Sequence, residues 1–247
     1  DEYEDIHEAV EAHVIEKAGI DAGGKMHTAR SRNDQVALDI RMKVRDDIND
    51  TCKELLALIG NLLNKADQNK DSAMIMYTHL QHAQIGTFSH YLLSYADALF
   101  RDLDRLYICY GRVNQSPLGA SAIGGTSIKI DRRKTASLLG FDSLVENSID
   151  ATTARDFMTE FSFDLAMIML DLSRIAEDFV LWSSSEFNYI ELADEFTSSS
   201  SVMPQKKNPC PLELMRAKTS MSLGLLMSLM ATVKSLPSGY SRDLQDT

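Results

Sequence analysis

Proline and glycine are scarce: 5 Pro and 12 Gly punctuate 247 residues. That is too few turn residues for a sheet-rich fold, whereas long helices need little punctuation. Cysteine is scarcer still. Cys52, Cys109 and Cys210 are an odd number at wide spacing, which argues against a disulfide framework or a zinc site and fits a reducing cytoplasm. Positive charge is in deficit, with 25 Lys and Arg against 36 Asp and Glu and a formal net charge of −11. A general nucleic-acid or membrane-surface role needs clustered cations and is disfavoured. An anionic substrate is not, because local cations can dominate a cleft. No apolar run is long enough and free enough of charge to span a membrane, and the opening residues do not read as a signal peptide. With 44% hydrophobic and 25% charged residues, the chain has the ordinary composition of a globular protein.

What is present is helical periodicity. From Asp34 to Asn64 the apolar positions Val36, Ile40, Val44, Ile48, Cys52, Leu55, Ile59 and Leu62 recur at steps of three and four, predicting one long amphipathic helix with Asn33 or Asp34 as N-cap. A second helix is expected from about Gly86 to Val113, a third from about Ala151 to Ser184, and a fourth from just after Pro209 through Val233. Long helices with short connections form a bundle. The run “FSFDLAMIMLDLSRIAEDFVLW” is apolar beyond a single stripe, so we expect a central bundle helix with a second face against other subunits. “DEYEDIHEAVEAH” reads as the middle of a helix, and “YSRDLQDT” stops without a closing signal. An internal piece of a longer protein is the expectation.

The connections hold most of the Gly, Pro, Ser, Asn and loop histidines, and function concentrates in loops on a rigid scaffold. In “THLQHAQ”, His79 and His82 are three apart and would share one face at a helix start. A metal site would need a third ligand, which the motif lacks, so a polar helix cap is the plainer reading. “HTARSRNDQ” sets Arg30, Arg32, Asn33 and Gln35 ahead of a long helix. That combination suits an anion, through free N–H groups and guanidinium forks, and equally suits salt bridges to the many acids. “SPLGASAIGGTS” matches no phosphate loop. In “SSSSVMPQKKNP”, Pro204 and Pro209 stiffen the chain around Lys206 and Asn208, and Pro209 suits the first turn of the following helix. By composition alone this is either a solvated linker or a loop of mobile hydroxyls tied to a cationic anchor.

The same stretch resembles the signature loop of the fumarase/aspartase lyase superfamily, S-S-x-M-P-x-K-x-N-P, and its “MPQKKNP” form is similar to the branch that cleaves argininosuccinate. “GGKMHTARSRNDQVALDIR”, “YTHLQHAQ”, “NSIDATTARDFMTEFSF” and “LPSGYSRDLQ” agree in order. The resemblance implies an all-α fold. Residues 1–31 would end an N-terminal helical domain, residues 32–247 would form the central long-helix bundle, and the family's C-terminal domain would be absent. It implies a cytoplasmic lyase of arginine biosynthesis that makes arginine and fumarate by anti elimination through an aci-carboxylate, with no metal or cofactor. It further implies a homotetramer whose sites gather loops from different subunits. Carried onto this sequence, the catalytic serine is Ser200, and Lys206 and Asn208 clamp the substrate carboxylate. His79 serves acid/base or electrostatic work, oriented by Glu213. Asn33, Thr78, Tyr240 and Gln245 fall on substrate-contact positions, and Arg32 joins them on its own carboxylate chemistry.

The chain departs from the family pattern at four places. Ala29 and Ser199 stand where glycine is usual, Ala120-Ser121 replaces Ser-Gly, and “DT” follows Gln245 where E-D-K is usual. The alternatives are a sister lyase acting on adenylosuccinate or another succinyl or fumarate-type substrate, and a non-catalytic crystallin-like relative. Loss of the loop serine or the histidine would favour the last, and both residues are present.

Overall fold

The computed structural model describes residue 3 and residues 5–246, the last two by their backbone alone. Its elements are dominated by helices: α1 (Ile6–Ala18), α2 (Ile20–Gly23), α3 (Arg32–Gln68), α4 (Phe88–Val113), α5 (Arg132–Leu138), α6 (Ser148–Thr153), α7 (Asp156–Trp182) and α8 (Cys210–Val233). A hairpin of β1 (Ala73–Thr78) and β2 (Gln81–Thr87) separates α3 from α4, and the two-residue strands β3 (Gln115–Ser116) and β4 (Ser143–Leu144) pair in parallel. The scarcity of Pro and Gly is thus matched by four helices of 24 to 37 residues. No helix among the described residues is long and apolar enough to cross a membrane.

The chain divides into two compact units. The first holds the residues up to Arg45 with Val113–Ala154 and Ser235–Asp246. Its core joins Leu38 and Met42 of α3 to Leu118, Ala136, Leu139, Phe141 and Leu144. Arg45 locks this cluster, donating to Asn114 Oδ1 (2.9 Å) and to the carbonyls of Gly140 (2.8 Å) and Leu139 (3.0 Å) while lying 4.2 Å over the Phe141 ring. Such stacking suits the flat guanidinium. Gly119 is required as glycine: its φ is +93°, and a Cβ there would lie 2.6 Å from the Arg132 side chain.

The second unit comprises Asp46–Arg112 and Arg155–Lys234. Leu58 and Leu62 of α3, Tyr95 and Leu99 of α4 and Leu172 and Ile175 of α7 converge around a small void, burying the stripes that the three-and-four periodicity marks. At one end of the α4–α7 contact, Tyr91, Phe179 and Trp182 cluster, and Tyr91 Oη donates to Asp178 Oδ2 at 2.7 Å. α8 packs along α7, with Thr219 Oγ1 donating to the Met169 carbonyl at 3.0 Å and Arg216 paired with Glu177.

Three local expectations are corrected. The helix cap of α3 is Ser31, whose Oγ accepts from Asn33 N at 3.3 Å; Asp34 turns inward instead. The predicted third helix is two, because Ala154 takes an extended ψ of 131° and Arg155 a φ of −134°, ending α6 and restarting the chain as α7. Most substantially, “THLQ” is a hairpin turn and not a helix start. Tyr77 pairs across the strands with His82, their rings 5.3 Å apart, and Tyr77 also contacts Phe187 and Tyr189. Cross-strand aromatic contacts of this kind hold a short ribbon that local periodicity does not reveal.

Candidate active site

The stretch from Ser198 to Asn208 is a closed loop. Ser198 N donates to the Asn208 carbonyl at 3.1 Å and Asn208 N to the Ser198 carbonyl at 2.9 Å, an isolated antiparallel bridge at the loop's base. Ser198 Oγ also meets Cys210 Sγ at 2.8 Å. The loop is therefore pinned where it joins α8, and a solvated linker is excluded. Within it Ser200 is half-buried, and its Oγ accepts from two backbone amides, Val202 N and Met203 N, both at 3.3 Å. Lys206 N returns to the Met203 carbonyl at 3.0 Å, so Met203-Pro204-Gln205-Lys206 makes a turn.

The two lysines behave differently. Lys207 Nζ lies 2.6 Å from both Glu191 and Asp194, and these hydrogen bonds, Asp194's first, raise its pKa. Lys206 has no carboxylate partner among the described residues, and its side chain is exposed. A cation with no counter-ion among the described residues, in the same loop as a serine with two amide donors, can receive an anion. Glu213 lies in the first turn of α8, exposed.

His79 and Leu80 are the two central residues of the β1–β2 turn, between the paired residues Thr78 and Gln81. Their φ values are 54° and 55°, the double left-handed geometry of a type I′ turn, for which Asn-Gly is the favoured pair. Two side-chain-bearing residues there carry backbone strain, a feature that clusters at functional sites. The turn displays His79 away from the strands, with Thr78 beside it, both exposed. The His79 side chain makes no hydrogen bond or ion pair with Glu213 or any other described residue.

In the first unit, Arg32 Nε lies 2.8 Å from Asp5 Oδ2 and its Nη1 donates to Gln35 Oε1 at 2.7 Å. Asn33 Nδ2 donates to the Ala122 carbonyl at 2.9 Å. Tyr240 is half-buried. Gln245 falls in the closing turn Arg242–Asp246, its side chain outside the described residues. Asp34 is the residue that local reasoning missed. Its fully buried carboxylate accepts from Ser31 N (2.9 Å), Gly119 N (3.1 Å) and Ser121 N (2.8 Å), tying the start of α3 to the glycine-bearing loop. A carboxylate so placed fixes the backbone on which Arg32 and Asn33 stand. A single acidic residue inside an otherwise cationic motif was the available signal.

Comparison with known proteins agrees with the loop. A family model described as lyase matches residues 2–224. The chain is 63% identical over 98% of its length to the argininosuccinate lyase of Nitrosopumilus maritimus, and 53% identical over 99% to that of Methanothrix thermoacetophila. It spans about half, 50%, of each of these relatives. Among solved structures, an EDDS lyase in complex with formate superposes with a TM-score of 0.91 at 37% identity, over 95% of this chain and 47% of that one. The bridge-closed “SSSSVMPQKKNP” loop and the long-helix bundle have their explanation in kinship: this chain belongs to the lyase family.

Proposed function

We propose that the chain is part of a cytoplasmic enzyme of arginine biosynthesis that cleaves argininosuccinate into arginine and fumarate. The observation that carries the chemistry is the loop closed at Ser198 and Asn208, which sets the Ser200 hydroxyl under two amide N–H groups in the same loop as a lysine with no carboxylate partner among the described residues. The substrate follows from the likeness to the named relatives.

The reaction breaks a C–H bond and a C–N bond of the succinyl group and forms the double bond of fumarate. The proton lies beside a carboxylate and is very weakly acidic. Its removal therefore requires the developing charge to move onto that carboxylate, held by preorganised donors. Ser200 takes the proton. A serine is a poor base unless its oxyanion is stabilised, and the amides of Val202 and Met203 supply that stabilisation, together with the positive end of α8. Lys206 and the Asn208 amide hold the aci-carboxylate. The guanidino nitrogen leaves as the C–N bond breaks and is protonated, His79 serving this end of the reaction by acid/base or electrostatic work. Thr78, Arg32, Asn33, Tyr240 and Gln245 orient the substrate.

His79 and Glu213 do not meet within one protomer, and we assign their pairing, and the complete site, to neighbouring copies in a homotetramer. Residues 1–31 then close a preceding helical domain, and the remainder supplies the central bundle. The exposed apolar faces of α8, including Leu214, Met221, Leu225 and Met227, support assembly through that helix. A second reading, a lyase for another succinyl or fumarate-type substrate, has the likeness to EDDS lyase in its favour. The two separate in one experiment on the full-length protein: fumarate release followed by ultraviolet absorbance with argininosuccinate and with adenylosuccinate. Release from argininosuccinate alone is expected. Release from adenylosuccinate alone, or from neither with the protein folded and assembled, contradicts the assignment.

A further inference from the structure

The segment before α3 and the loop after β3 enclose a cavity of about 150 Å³, bounded by Thr28, Arg30, Asp34, Gly119, Arg132 and Thr135 within the first unit. It contains none of the residues assigned to elimination. Its chemistry is that of a cation with no counter-ion in contact among the described residues. Arg30 is half-buried, its Nε is fully enclosed, and Nε has no acceptor among the described residues. The rest of its guanidinium likewise makes no hydrogen bond or ion pair with them. Asp39 feels its charge through space, but its contact is with His7 Nδ1, at 3.5 Å. Among the described residues Arg132 binds only carbonyls, Nε to Leu118 O at 2.7 Å and Nη2 to Val145 O at 2.9 Å, so no acid among them offsets its charge by contact either. The one acid in the wall, Asp34, has its oxygens directed to the amides of Ser31, Gly119 and Ser121. Thr28 adds a hydroxyl with no partner among the described residues.

An enclosed guanidinium nitrogen left without an acceptor is costly, and native proteins rarely leave one. A fork of five donors matches a carboxylate or phosphate in a bidentate pair. Two arginines against one acid leave the cavity a net positive charge, and its size admits only a small guest.

The geometry points to a second anion site: the cavity binds a small oxyanion, phosphate- or carboxylate-bearing, through Arg30, with Thr28 and Arg132 completing the wall. Occupancy braces the turn at Ala29 and so the backbone that leads into Arg32 and Asn33. The inference concerns binding and does not rest on the assigned substrate.

Calorimetric titration of the full-length protein with sodium phosphate, and separately with sodium acetate, tests it against sodium chloride at matched ionic strength. We expect one saturable site per chain for at least one of the two oxyanions, weakened about tenfold or more by Arg30→Gln. Should Arg30→Gln fail to fold, Thr28→Val takes its place with a smaller expected weakening, and crystals soaked in selenate should give anomalous density at Arg30. A response no greater than that to chloride, binding unchanged in the variant, or selenate absent from the cavity would overturn the proposal. So would competitive displacement of phosphate by fumarate, which would make the cavity part of the substrate site.

Discussion

Three positions where glycine is usual in the lyase pattern carry side chains here, and the backbone distinguishes them. Ala29 has φ 57° and Ser121 φ 55°, both left-handed, whereas Ser199 is not among the residues of positive φ. A β-carbon in the left-handed region is a steric cost that glycine does not bear. Ala29→Gly should therefore stabilise the protein by about 1 kcal/mol, read as a higher denaturant midpoint at unchanged slope. A loss of stability would mean that the Ala29 methyl contributes packing that outweighs its strain. Ser199, outside the left-handed region, offers no such gain. Sequence reasoning could name these departures but not rank them, because φ is a property of the folded backbone.

Between α4 and α7 lies a band of acids and arginines that periodicity marks only as polar positions near a core. Asp164 is 4% exposed and Asp102 1%, and each has an enclosed Oδ2 without a hydrogen-bond partner. Burial first, then the nearby Glu160 and Asp102, push the Asp164 carboxyl up to about 6, against the opposing pull of Arg105 and Arg112. Its folded pKa thus exceeds the unfolded one, about 4. The stabilisation is complete below the unfolded value, declines as pH rises through about 6, and is gone above it. The span is on the order of 2 kcal/mol. Asp164→Asn should flatten this contribution, so that the variant gains on the parent between about pH 4 and pH 6 in thermal melts and the gain levels off above that; parallel pH profiles would refute the assignment. The long helices themselves were legible from the spacing of Val44, Ile48, Leu55, Ile59 and Leu62, all buried. The β1–β2 hairpin was not, since its register depends on Tyr77 meeting His82, Phe187 and Tyr189, the last two over a hundred residues away. The break at Ala154–Arg155 escaped for a related reason: Arg155 is buried, and its tertiary setting, not its propensity, ends the helix.

For the whole molecule, a single copy leaves much of α8 unexplained. Thr219 and Leu226 are its buried residues, while Leu214, Met221, Leu225 and Met227 are 60–68% exposed. Leu214, Met221 and Leu225 follow at seven and four residues and share one face. The proposed tetramer buries that face, so Met221→Glu with Leu225→Glu should shift full-length protein to smaller species in analytical ultracentrifugation, and activity should fall with the tetramer fraction. An intact tetramer would place the interface elsewhere. The proposed assembly would also complete the proposed site, of which one chain holds only part. The serine loop, the cationic anchor and the displayed histidine are all present, yet no hydrogen bond or ion pair joins His79 to Glu213 within one chain. The sequence motifs point to those residues through resemblance; local composition alone leaves the loop divided between linker and site, and the bridge at its base argues against a free linker. The most direct test of the account is fumarate release from argininosuccinate by full-length protein carrying Ser200→Ala. We expect turnover reduced about 10²–10⁴-fold, with the tetramer and the thermal midpoint unchanged. Turnover close to that of the parent would contradict the central claim that the Ser200 hydroxyl removes the proton.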